Sequence, residues 1–212
     1  MDVTRLIAIR HGETRWNVDA RLQGHLDIPL NERGLWQAKR VGEALAHEVV
    51  AAVYASDLSR ARQTAEAIAV PHGLAVQAEP GLRERAFGIF EGRTFSELDV
   101  ELPDQALRWR TRDPHFAPEG GESLLDFRAR IAQSVDRIAA HHGGELVVLV
   151  AHGGVMDVLY RLATRQEIQA PRTWELGNAA INRLLWSDQG LGLVGWGDIA
   201  HLASDSLDEF TT

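Results

Sequence analysis

Two histidines share one local setting. In "LIAIRHGETRWN" the apolar run Leu6 to Ile9 leads through Arg10 into His11-Gly12, and in "ELVVLVAHGGV" the run Leu146 to Val150 leads into His152-Gly153-Gly154. A neutral imidazole can be a nucleophile, a proton carrier or a metal ligand, and a glycine beside it lets backbone approach a bound group. Arginine adds a permanent cation whose planar fork grips phosphate oxygens in pairs. Arg10 adjoins His11. Arg62, in "SDLSRARQTA", falls in the first turns of a helix after a strand, where the helix N-terminus also favours an anion. Arg60, two residues earlier, is expected to point elsewhere.

Breaking a phosphate ester needs an acid as well, because the departing alkoxide is a strong base. Glu84 in "LRERAFGIFEG" is the candidate, Glu91 is its rival, and Glu13 is a third carboxylate near His11. The residue types alone do not choose between Glu84 and Glu91. A metal-dependent hydrolase built on His11, His152 and acidic ligands is the chemical alternative.

These residues need a scaffold that brings strand ends together. The helical spacing of Leu35, Ala38, Val41 and Leu45 behind Asn31 predicts a helix over 32–46. A strand is expected over 49–55, and then a helix capped by Ser56 or Asp57 and ended by Pro71. Leu124, Phe127, Ile131, Val135 and Ile138 give a long amphipathic helix from Ser123, stopped by Gly143-Gly144. "ELVVLV" reads as a central strand, followed by a helix over 155–163. Runs 180–186 and 191–196 around Asp188-Gln189-Gly190 suggest a hairpin. Strands alternating with helices imply a three-layer α/β/α sandwich with a mainly parallel central sheet, in which ligands bind at the carboxyl ends of the strands. Residues 86–122, with helical patches over 95–102 and 105–110, are expected to form an insertion over that site. Phe87, Phe90, Trp109 and Phe116 could line its entrance.

The chain has 212 residues, 45% hydrophobic and 25% charged, which suits one globular domain over 1–212. It has no cysteine, so thiolate nucleophiles and disulfides are excluded. A net charge of -8 argues against nucleic acid and anionic membranes as partners, though a few converging arginines can still hold a small anion. No apolar run is long enough to span a bilayer, so a cytoplasmic location is expected. A homodimer is possible for a chain of this kind. Residues 201–212 are polar and expected to be loosely held.

Five blocks in order, "LIAIRHGETRWN", "LQGHLDIPLNERG", "YASDLSRARQTA", "LRERAFGIFEG" and "VAHGGV", resemble the histidine phosphatase superfamily, also called the phosphoglycerate mutase-like family. The resemblance covers nearly all of the chain from Leu6 to Trp186. It implies His11 as nucleophile, Arg10, Arg62 and His152 as phosphate-holding groups, and Glu84 as the acid-base residue. It also implies Asn17 and Gln23 at the substrate, with Gly24 and Gly153 beside them. No metal or other cofactor is implied. The expected activity is hydrolysis of a small phosphorylated metabolite through a phosphohistidine. The alternatives are a cofactor-dependent phosphoglycerate mutase, or a narrow phosphatase acting on α-ribazole phosphate or a sugar bisphosphate. The short spacing between Glu84 and His152 favours hydrolysis, because mutases of the family carry a longer segment there.

Overall fold

A computed structural model describes residues 3 to 203. Its centre is a six-stranded sheet in the order β3-β2-β4-β1-β5-β6. The strands are β1 (Thr4–Arg10), β2 (Ala52–Ala55), β3 (Val76–Ala78), β4 (Leu146–Ala151), β5 (Ile181–Ser187) and β6 (Gly190–Asp198). β1, β2, β3 and β4 run parallel, and β5 and β6 add the expected antiparallel hairpin at one edge. The register pairs Arg10 with Ala151, so the two His-Gly steps leave the sheet side by side.

Alternation along the central strands fills two cores. Leu6 and Ala8 of β1, with Val147 and Leu149 of β4, face α6 (Leu124–Ala140) and α7 (Gly153–Thr164). Ile7, Ile9, Val148 and Val150 face α2 (Glu32–Leu45) and α3 (Ser59–Ala69) on the other side. Helices cover both faces, which makes the sandwich three-layered. The continuous apolar run of β4 is buried throughout, as a parallel strand between helix layers requires.

Three local expectations need correction. β2 begins at Ala52, and Val49 is 85% exposed, so the apolar run overstated the strand. Leu35 lies on the outer face of α2; Gly34, Gln37 and Ala38 share the inner face with Val41 and Leu45. Neither Ser56 nor Asp57 caps α3. The N-cap is Leu58, and Asp27 from the first long loop accepts the Ser59 N–H at 2.7 Å, while Asp57 accepts both nitrogens of the Arg83 fork at 2.7 and 2.6 Å. A cap supplied from a distant loop leaves no local sequence signal.

α1 (Arg15–Val18) is a single turn whose cap pairs Thr14 with Asn17. α4 (Phe95–Glu101) and α5 (Pro103–Arg110) lie in the segment between β3 and α6. This segment has a third, separate apolar cluster of Phe87, Phe90, Leu98, Ala106 and Phe116. Residues 204 to 212, within the stretch expected to be loose, fall outside the described residues, and no helix among the described ones is long and apolar enough to cross a membrane.

Candidate active site

His11 emerges from the end of β1 and is 3% exposed. Its Nδ1 lies 2.7 Å from the Gly12 carbonyl oxygen. A carbonyl only accepts, so Nδ1 carries the proton and Nε2 keeps its lone pair. Backbone, not Glu13, therefore sets the tautomer; the Glu13 carboxylate is held by Asn31 and Arg33. His152, the N-cap of α7, is fully buried against His11 with ring centroids 5.3 Å apart. Burial, reinforced by Arg60 and Arg10, pushes the His11 pKa well below its usual value, and burial with Arg60 and His11 itself does the same to His152. Burial among these cations thus favours the neutral form of both rings.

Arg60, not Arg62, supplies the helix arginine. Residues two apart on a helix project about 200° apart, so only one of them can face the sheet. Arg60 is 1% exposed and lines the His11 pocket, with two terminal nitrogens donating to the carbonyls of Leu26 and Gly24 at 2.8 Å. Burial lowers its pKa to about 10, which still leaves it charged at neutral pH. Arg62 faces outward and pairs with Glu66 one turn on, at 3.3 Å. A signal was present in the sequence: Thr64 and Ile68, buried with Ala61, continue the Arg60 face, and Glu66 stands at ion-pair spacing from Arg62.

Arg10, Asn17, Gln23, Gly24, Glu84 and Gly153 line the same pocket, about 160 Å³. Arg10 donates to the Leu176 carbonyl. Asn17 and Gln23 are both oriented by Thr14. Glu84 accepts from the Arg85 N–H at 2.8 Å and the Gly154 N–H at 2.9 Å. A side chain at Gly154 would put Cβ 2.2 Å from Glu84 Oε1, so that contact requires glycine. Glu91 has a different task, accepting the N–H of His25 and of Phe87, and His25 in turn donates from Nε2 to the Glu84 carbonyl at 2.8 Å. Asn178, absent from the sequence reading, donates to the His11 carbonyl at 2.9 Å; it lies just before β5, far along the chain from any recognisable block.

Arg10 Nε, Arg60 Nε and both ring nitrogens of His152 are buried without a protein partner. A neutral His152 carries one N–H, and that donor and the two arginine N–H groups, with the N-terminus of α7 beside them, match the oxygens of a tetrahedral anion. Among the described residues no His, Asp and Glu side chains cluster in a way that could hold a metal. A larger cavity of about 540 Å³ adjoins the pocket through Arg10, Glu84 and Gly153. Phe87, Phe95 and Trp109 line one part of it; Phe90 and Phe116, also expected at the entrance, are buried in the third cluster instead. Of its charged groups, Arg85 and Arg112 donate to carbonyls and to Asp157, while the side chains of Arg172 and Glu175 have no such partner among the described residues.

The site and the sandwich define a phosphoryl-transfer enzyme with a histidine at its centre. The model of the histidine phosphatase superfamily (branch 1) matches residues 6–199, and the chain belongs to that family. It is 38% identical to phosphoglycerate mutase-like protein 4 of Arabidopsis thaliana, with 95% of this chain and 88% of the relative covered. It is 36% identical to the metal-independent phosphoserine phosphatase of the same plant, with 96% and 85% covered. The solved structure of YhfR from Bacillus stearothermophilus superposes with a TM-score of 0.88 at 30% identity, over 94% of this chain and 99% of that one. This protein is accordingly a phosphatase of the histidine phosphatase superfamily.

Proposed function

We propose that hydrolysis runs through a phosphohistidine on His11. The free lone pair on His11 Nε2, fixed by the Nδ1 bond to the Gly12 carbonyl, is the observation that carries this reading. Nε2 attacks phosphorus in line while Arg10, Arg60 and His152 hold the equatorial oxygens, so charge is met by groups already in position. Glu84 gives a proton to the ester oxygen as the P–O bond breaks. Water then yields a proton to the Glu84 carboxylate and attacks the N–P bond, releasing inorganic phosphate and restoring both residues. No metal is required in any of these steps.

The leaving group occupies the larger cavity. Its aromatic part suits the carbon skeleton, and Arg172 and Glu175 place one cation and one carboxylate on its wall. The phosphoserine phosphatase among its relatives acts on a substrate bearing charges of both signs, which favours a small zwitterionic or carboxylate-bearing ester here. The protein works in the cytoplasm on this reading.

A panel of phosphate esters, including phosphoserine and 3-phosphoglycerate, tests it by phosphate release. The parent should hydrolyse them, the His11→Ala variant should not, and acid-labile, base-stable label from a ³²P ester should remain on the parent alone. Conversion of 3- to 2-phosphoglycerate in excess of phosphate release would point to a mutase, the enzyme to which the other plant relative's name likens it.

A further inference from the structure

The Gly12–Glu13 peptide has partners at both ends. Its C=O accepts from His11 Nδ1 at 2.7 Å, and its N–H, on Glu13, donates to Gln37 Oε1 at 2.8 Å. No peptide bond among the described residues is cis, so these two groups point in opposite directions and the bonds form a chain: Gln37, peptide, His11. Gln37 is 5% exposed on the inner face of α2. Gly34, one turn before it, lies directly against the nucleophile loop: a Cβ on Gly12 would come 2.4 Å from the Gly34 oxygen, and one on Gly34 2.0 Å from the Glu13 oxygen. The helix thus brings a buried amide to a peptide that touches the reacting ring.

We propose that Gln37 is a positioning residue that acts on His11 through the Gly12–Glu13 peptide. By accepting the Glu13 N–H, Gln37 draws the peptide's resonance toward C=O⁻, and the carbonyl becomes a stronger acceptor for Nδ1–H. When Nε2 bonds to phosphorus the ring becomes cationic, and the charge on Nδ1–H is met by that carbonyl. Gln37 therefore holds the tautomer before attack and stabilises the phosphorylated ring after it, while remaining out of contact with substrate. The charged or titratable groups that face His11 are Arg10 from β1, Arg21 from the loop after α1, Arg60 from α3, His152 at the start of α7 and Glu84 from the loop before the third cluster; the Gln37 amide bonds the Glu13 N–H and none of these.

The inference rests on His11 as the reacting group, and two variants test it. Gln37→Met keeps the volume and removes the acceptor; Gln37→Glu keeps an acceptor and strengthens it. In ¹⁵N-histidine-labelled protein the Hδ1 resonance of His11 should move upfield in the Met variant and stay downfield in the Glu variant. The Met variant should lose about tenfold in kcat, the low end of the loss seen when an outer partner that orients a metal-bound histidine is removed, with KM for p-nitrophenyl phosphate nearly unchanged. The acid limb of kcat/KM should move to lower pH with Met and to higher pH with Glu. An unmoved resonance and limb in the Met variant, or limbs moving the same way in both, would overturn the proposal. If the Met variant does not fold, an unmoved limb in the Glu variant alone does so. An active His11→Ala protein would defeat the catalytic reading while leaving the resonance test of the Gln37 contact intact.

Discussion

Arg60 and Arg62 are the same residue type two positions apart, and the structure gives them opposite surroundings. Arg60→Ala should lower kcat/KM about 100-fold, about 2.7 kcal/mol, the scale of one lost transition-state donor. Arg62→Ala should stay within about twofold, since its exposed pair with Glu66 is worth at most about 1 kcal/mol. Parallel steady-state assays of the two variants decide this, and the reverse order would mean that the helix is rotated. The histidines make a second prediction. Their folded pKa values lie well below the unfolded value of about 6.5, so below that pH the unfolded chain binds protons that the folded chain does not. Stability should therefore fall as pH drops below about 6.5, and urea midpoints measured between pH 5 and 7.5 should flatten when His152 is replaced by Asn. A ligand anion, by favouring protonated rings, should reduce the slope.

The N-terminus of α7 does two jobs at the scale of one element, presenting His152 and donating the Gly154 N–H to Glu84. Gly154→Ala should push the carboxylate away and slow esters with alkoxide leaving groups more than p-nitrophenyl phosphate, because a phenolate needs less protonation. Equal losses on the two, measured as kcat, would separate Glu84 from proton transfer. The strand-end histidines, the chain order of helices and strands and the central position of β4 were legible because each is written in a local pattern: apolar runs of strand length, helical spacing, a glycine after the histidine. The cap of α3, the choice of Arg60 and the part played by Asn178 were not read. Asp27 and Asn178 act across the fold, where sequence distance says nothing about contact. Arg60 is legible in principle, since its phase with Thr64 and Ile68 is a local fact, but a place in the first turns of the helix fits Arg62 equally well and does not fix which arginine faces the sheet.

At the scale of the molecule, two cores flank the sheet and a third lies in the segment that carries Phe87 and Trp109 to the larger cavity. Phe90 is fully buried in this third cluster. Phe90→Ala should cost about 3 kcal/mol, the low end for an aromatic deletion, and raise KM for large esters while kcat for p-nitrophenyl phosphate falls little. Denaturant melts and a two-substrate comparison check both halves; a uniform loss of kcat would mean that the clusters are mechanically joined. The pairing of β1 with β4 also bears on how the enzyme comes into being. Arg10 and Ala151 are neighbours in the sheet yet lie far apart along the chain. During synthesis the nucleophile leaves the ribosome early, but its partner ring and the strand that should lie beside it arrive only after two thirds of the protein has been made. Phosphoryl chemistry is thereby withheld until β4 pairs with β1, and a chain terminated before β4 carries His11 without the means to use it.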